Sequence, residues 1–347
     1  MRGAPSLARG VPPTVRAAGR EAGYVRLVLG TVLVLALAAS APPPYDPLAT
    51  GEGASVTPLD LTVRDESRHR DLPVRLYLPA GHEPRPLVLF SPGLGGSRES
   101  YAYLGQHWSR RGFVTCTLQH PGSDDAVWRD LPVRDRLPAL RRAASLENFL
   151  LRARDVPAVL DRLEALSAEP GSPIAGRLDL RRIGMAGHSF GALTTEAVSG
   201  EVFPLPSVSL TDARITAAIA MSPSVPRRSD PARAFGSVKI PWLLMTGTRD
   251  VSPIGQTDLA SRRAVYPALS RGLRYEVVLD GAEHSAFGDR PLPGDREQRN
   301  PAHHRGILAL STAFWDAFLA ADPRARAWLD GAGPRTVLET KDLWQHD

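Results

Sequence analysis

Residues 187–191 read Gly-His-Ser-Phe-Gly, a G-x-S-x-G sequence between the apolar stretch Arg182–Ala186 and the helix-forming run ALTTEAV. A strand before the motif and a helix after it make Ser189 a candidate nucleophile on a sharp strand-to-helix turn. Glycines two residues to either side keep that turn free of collisions with the neighbouring strand and helix. The turn also sets the hydroxyl near a helix N-terminus, where backbone N–H groups favour developing negative charge. A serine hydroxyl is a poor nucleophile at neutral pH and needs a base that is itself oriented by a carboxylate. Two later strand ends supply these groups. PWLLMT runs into Gly247-Thr248-Arg249-Asp250, and YEVVL runs into Asp280-Gly281-Ala282-Glu283-His284. The order Ser189, Asp250, His284 is that of a nucleophile, acid and base, each following a later strand.

Competing assignments are weaker. His188 is enclosed in the turn and is expected to pack, and His303 and His304 open the last helix as surface residues. His120 ends a strand and is a candidate pocket residue, but it precedes the serine. Asp280 and Glu283 lie too close to His284 to occupy a separate strand end. Ser222 stands at a strand end where a carboxylate would also serve, and a serine cannot act as the acid. An oxyanion needs two donors. The backbone N–H of Phe190 is one, and the loop Ser91-Pro92-Gly93-Leu94-Gly95-Gly96 offers the other, expected at Leu94. The same loop lacks the Lys-Ser/Thr end of a phosphate-binding loop. No histidine-carboxylate group has metal-ligand spacing, so no cofactor or metal is expected. Cys116, in FVTCTLQ, reads as a small buried hydrophobe.

The elements that must position these residues alternate between β and α. Half-buried strands are expected at 56–63 and 72–78, and apolar strands at Pro86–Phe90, Phe113–Leu118, Arg182–Ala186, Ile215–Met221, Trp242–Thr246 and Tyr275–Leu279. Helices are expected at Glu99–Arg110, Leu146–Leu166, from Ser189 onward, near Gly255–Tyr266 and at Arg305–Leu319. This alternation predicts a mostly parallel central sheet with helices on both faces, its working residues beyond the carboxyl ends of the strands. The polar stretch His120–Ala144 has no clear period. With Asp124, Asp125 and Trp128 it either folds over the pocket, with Trp128 touching substrate, or is a surface loop around one buried tryptophan.

The formal charge of +5 is concentrated at the N-terminus. Five arginines against Glu21 give residues 1–40 a balance of +4, leaving about +1 for the rest. No basic stripe remains for a phosphate backbone, so nucleic acid is excluded as a partner. Arg20 and Arg26 lead into the 13-residue apolar stretch Leu27–Ala39, small residues follow, and then Pro42-Pro43-Pro44. Residues 1–41 therefore read as a signal peptide or an N-terminal membrane anchor, although the stretch is short for a bilayer span. Residues 42–54 read as a linker and 55–347 as one catalytic domain. The expected location is exported, periplasmic or extracellular, with membrane association through the leader as the alternative.

The segments PLVLFSPGLGGSRESY, FVTCTLQHPGSD, RARDVPAVLDRLEAL, GMAGHSFGALT, LLMTGTRD, GAEHSAF and RAWLDGAGP together resemble the α/β-hydrolases grouped around dienelactone hydrolase-like enzymes and bacterial relatives of platelet-activating factor acetylhydrolase. The resemblance covers roughly residues 70–345. It implies the α/β-hydrolase fold and cofactor-free hydrolysis of short-chain acyl esters, lactones or polyesters. It assigns Ser189, Asp250 and His284 to the triad and Leu94 and Phe190 to the oxyanion hole. The mammalian acetylhydrolases take their acid from the preceding strand end, where this chain has Ser222. The familiar dienelactone hydrolases use cysteine where this chain has Ser189. Three function classes stay open: an esterase acting on a small-molecule or lipid-like ester, a serine peptidase or acyltransferase with the same triad, and a non-catalytic binding protein on this scaffold.

Overall fold

The computed structural model describes residues 44–51, 56–203, 208–226, 229–252, 254–255, 257–291 and 295–347. The expected leader at 1–41 lies outside them. Pro44–Gly51, within the expected linker, is described and lies against the body, with the Tyr45 hydroxyl donating to Asp316 at 2.7 Å.

The strands are β1 (Leu59–Asp65), β2 (Arg70–Tyr77), β3 (Arg85–Ser91), β4 (Val114–Leu118), β5 (Leu178–His188), β6 (Ile215–Met221), β7 (Trp242–Arg249), β8 (Arg274–Glu283) and β9 (Leu343–His346). The helices are α1 (Ala102–Arg111), α2 (Val133–Ala143), α3 (Leu146–Ala168), α4 (Phe190–Val198), α5 (Pro231–Phe235), α6 (Leu259–Arg263), α7 (Val265–Ala268), α8 (Pro301–Phe318) and α9 (Pro323–Asp330). The nine strands form one mixed sheet in the order β1-β2-β4-β3-β5-β6-β7-β8-β9. The central strands β4, β3, β5, β6, β7 and β8 pair in parallel. Antiparallel pairings are confined to the margins, where β1 and β2 flank β4 and β9 closes on β8.

The apolar runs of the sequence become these central strands because both sheet faces are covered. In β3, Val88 and Phe90 join a core with Trp108 of α1 and Phe314 and Trp315 of α8. Leu87 and Leu89 point the other way, into a core with Val156, Val159, Leu160 and Leu163 of α3. That is the alternation a strand imposes when neither face meets water. Ser145 caps α3 by accepting the Asn148 N–H at 3.1 Å, which fixes where this long helix begins. Among the described residues no helix is long and apolar enough to cross a membrane.

Candidate active site

Ser189 sits between the end of β5 and the start of α4 with φ 58° and ψ −118°. A non-glycine residue with positive φ costs of order 1–3 kcal/mol and persists only where its surroundings enforce it. Both glycines of the motif have a visible reason. A Cβ on Gly187 would fall 2.2 Å from the Gly191 carbonyl oxygen, and one on Gly191 would fall 1.8 Å from the Ser91 carbonyl oxygen. The Ser189 N–H donates to Met221 O at 2.9 Å, tying the turn to the neighbouring strand.

The sheet brings the three expected residues together. His284 Nε2 lies 2.8 Å from Ser189 Oγ, and His284 Nδ1 lies 2.6 Å from Asp250 Oδ1. Asp250 follows β7 and is fully buried, while His284 follows β8 and is 7% exposed. Burial alone would raise the Asp250 pKa. The hydrogen bond and charge of His284, the charge of Arg262 and the hydroxyl of Ser222 outweigh burial and bring it to about 2. The carboxylate is therefore ionised at neutral pH and accepts from Nδ1–H, leaving the Nε2 lone pair toward the serine hydroxyl. Such a line can take a proton from an attacking hydroxyl and stabilise the imidazolium that forms.

Two neighbours of Asp250 were not legible as site residues. Ser222 cannot replace the acid, but its Oγ donates to Asp250 Oδ2 at 2.6 Å, beside Thr246 Oγ1 at 2.9 Å. Arg262, 2% exposed, lies 3.0 Å from Asp250 Oδ1 and donates to the backbone carbonyls of Asp250 and Ser222 at 2.8 and 2.7 Å. In sequence it is one of two adjacent arginines on a short helix. Its only signal is that α6 follows the acid's strand end.

The expected oxyanion segments also converge on the serine. Phe190 is the first residue of α4, so its N–H has no carbonyl within the helix to bond. A Cβ on Gly93 would lie 3.5 Å from Ser189 Cβ, so the loop carrying Leu94 rests against the serine. Gly95 N–H bonds Ser123 O at 2.8 Å and Gly96 N–H bonds Gly93 O at 3.0 Å. Between them, the Leu94 N–H meets no acceptor among the described residues.

The other expectations fare unevenly. His120 does not line a pocket: it is 1% exposed and both ring nitrogens are engaged, Nδ1 with Asp155 at 2.9 Å and Nε2 with Ser91 Oγ at 3.0 Å. Burial and the charge of Arg152 pull its pKa to about 4, so it is a neutral residue of a buried polar network. Trp128 is half-buried. Its Nε1–H donates to Gly95 O at 2.8 Å and the Arg136 guanidinium lies 5.3 Å from its ring, so it braces the Leu94 loop. The stretch 120–144 is not irregular throughout, since it contains α2. His188 packs as expected, its Nδ1 meeting the Tyr101 hydroxyl at 2.6 Å and its ring 4.7 Å from that of His284. His303 and His304 are not free surface residues. The first is buried with Nε2 on Asp280 O, and the second stacks on Tyr103 at 4.3 Å.

No protein-family model matches the chain. It is similar to Cutinase 2 of Thermobifida cellulosilytica and to Cutinase cut1 of Thermobifida fusca, 25% identical to each over 213 residues. The match covers 61% of this chain but 64% and 53% of the two relatives, less than two thirds of their lengths.

Proposed function

We propose that the chain is a serine hydrolase of the α/β-hydrolase fold that cleaves carboxylic esters through an acyl-enzyme. The observation that carries this reading is the unbroken line Ser189 Oγ, His284, Asp250, on a strained turn between a central strand and a helix. The cutinase similarity supports an ester hydrolase in general. The motif run quoted above supports kinship with dienelactone hydrolase-like proteins and relatives of platelet-activating factor acetylhydrolase.

In this mechanism His284 takes the Ser189 proton as the oxygen attacks the ester carbonyl carbon. The carbonyl oxygen becomes an oxyanion received by the N–H groups of Phe190 and Leu94. The tetrahedral intermediate collapses, the C–O bond to the alcohol breaks, and His284 passes its proton to the departing alkoxide. Water, deprotonated by the same imidazole, then attacks the acyl carbon; the C–O bond to Ser189 breaks, the imidazolium returns its proton to Oγ, and the acid is released. Asp250 keeps the imidazole oriented and stabilises its protonated form. Export rests on the basic and apolar leader at residues 1–41.

A series of p-nitrophenyl esters from acetate to palmitate tests the reading, with turnover expected and short chains preferred. A fluorophosphonate should label Ser189 and fail to label Ser189→Ala, which should lose about 10⁶-fold in turnover. Full esterolytic turnover in Ser189→Ala, or faster turnover of matched amides than of esters, would overturn it.

A further inference from the structure

Arg152 of α3 is 1% exposed, yet its hydrogen-bond partners among the described residues are all neutral. Its Nε donates to Thr194 Oγ1 at 3.1 Å, Nη1 to Ser123 Oγ at 3.0 Å, and Nη2 to Ser91 Oγ at 3.0 Å and to the Pro92 carbonyl. Its guanidinium lies 4.8 Å from the centroid of the Phe190 ring. Each partner belongs to a segment that shapes the expected oxyanion site. Thr194 Oγ1 also donates to the Phe190 carbonyl at 3.0 Å, in the first turn after the serine. Pro92 O belongs to the peptide that leads into Gly93 and Leu94. Ser123, through its own carbonyl, holds the Gly95 N–H.

The charge of Arg152 is not spent on an ion pair. Asp155, one turn along the helix, is taken by Arg68 and Arg70, each at 2.9 Å, and by His120. Arg152 reaches that carboxylate through Ser91 and His120. Burial pulls the Arg152 pKa down, against the attraction of Asp155, to about 9, which leaves it a cation at neutral pH. Enclosing a guanidinium without a carboxylate on it is costly, and a fold keeps such a group where its charge or its donors are needed. Fixed positive charge beneath a site where negative charge develops is worth far more in a water-poor interior than in water.

We propose that Arg152 is the positioning residue of the oxyanion site, clamping from beneath the two segments that carry the Phe190 and Leu94 amides and adding a fixed positive charge under them. This rests on the hydrolase reading above. It differs from a merely structural role because the interaction grows as the carbonyl oxygen becomes negative, so it should act on kcat rather than on KM.

The test compares Arg152→Gln, which removes the charge, with Arg152→Lys, which keeps it but shortens the reach. It uses full-length protein, a p-nitrophenyl ester and an alkylboronic acid whose tetrahedral serine adduct is anionic. Wild-type turnover and fluorophosphonate labelling are measured first, and failure there counts against the hydrolase reading alone. With an active wild type, Arg152→Gln should lose about 10²-fold in kcat, the scale of a missing oxyanion donor, with KM within about twofold. Boronate affinity should fall in parallel, and Arg152→Lys should recover part of both. Thr194→Val removes the Nε anchor together with the hydroxyl's bond to the Phe190 carbonyl, and covers the case in which the buried arginine cannot be replaced without unfolding. It should lower kcat and boronate affinity together, several-fold, with the melting temperature little changed. Wild-type kcat and boronate affinity in a folded Arg152→Gln protein, or in Thr194→Val, would overturn the proposal, as would a loss confined to KM.

Discussion

Arg262 Nη2 and His284 Nδ1 meet the same oxygen, Asp250 Oδ1, at 3.0 and 2.6 Å, and lie 3.3 Å from each other. The carboxylate that should stabilise an imidazolium is thus shared with a permanent cation. Replacing Arg262 with glutamine removes that cation from the Asp250 carboxylate and loosens the seat on which His284 rests. Turnover should fall about tenfold, because Arg262 also anchors the carbonyls of Asp250 and Ser222. Measured kcat and KM on p-nitrophenyl acetate check this, and wild-type kcat in the variant would show that Ser222 and Thr246 alone hold the carboxylate.

Ser222 holds the other oxygen of the same carboxylate. Its Oγ donates to Asp250 Oδ2 at 2.6 Å, and its own backbone has φ 61°, a strained geometry at the end of β6. Ser222→Ala leaves Thr246 Oγ1 on that oxygen and removes one charge-assisted hydrogen bond, worth about 1.5–3 kcal/mol. Part of that loss should appear as looser placement of His284. The expected outcome is a drop of about tenfold in kcat with KM unchanged, measured on p-nitrophenyl acetate. Wild-type kcat in this variant would show that Thr246 alone suffices.

Gly191 offers a test of how tightly the turn is built. Its missing side chain would overlap the Ser91 carbonyl at 1.8 Å, and that carbonyl belongs to the strand leading into the Leu94 loop. Because the Cβ is fixed by its own backbone and the oxygen it meets is backbone, no rotamer change relieves it. Gly191→Ala should cost about 3 kcal/mol or more, at the upper end of single substitutions, and should reduce soluble yield or melting temperature measurably. A variant with wild-type melting temperature and activity would show that α4 can slide away from β3.

What the sequence made legible followed from burial and from order along the chain. The runs PLVLF and FVTCTL announced β3 and β4 because both of their faces are covered. Ser189, Asp250 and His284 could be named because each follows a strand end. Helix α2 escaped because its few apolar positions stand among four arginines and Pro138, and it is exposed along much of its length. Strand β9 escaped because LWQH is a short margin strand without a readable alternation. The buried polar layer was the hardest to foresee. Arg70 and Asp155 lie 85 residues apart, and nothing local distinguishes a buried arginine from a solvated one until its partner is found. His120 was misread for the same reason, since a histidine ending a strand looks equally suited to a pocket and to an interior network.

Glu196 and Glu201 form a second buried acidic feature with a pH signature of its own. They are 0% and 5% exposed, and the Glu201 N–H bonds the Glu196 carbonyl at 3.0 Å. Burial pushes Glu201 from 4.5 up to about 8, and burial together with the charge of Glu201 pushes Glu196 well above its ordinary range. A carboxyl group whose folded pKa is raised binds more protons in the folded than in the unfolded chain between the two values. Stability then declines as pH rises through that window. For Glu201 the window runs from 4.5 to about 8, with a slope of at most about 1.4 kcal/mol per pH unit for one proton. Thermal melts at one-unit steps from pH 5 to pH 9 should show the melting temperature falling across that range. Glu201→Gln, neutral at every pH, should flatten the decline and melt higher than the wild type at pH 8. Parallel pH dependences in the two proteins would mean that Glu201 ionises without cost and that the alkaline loss has another source.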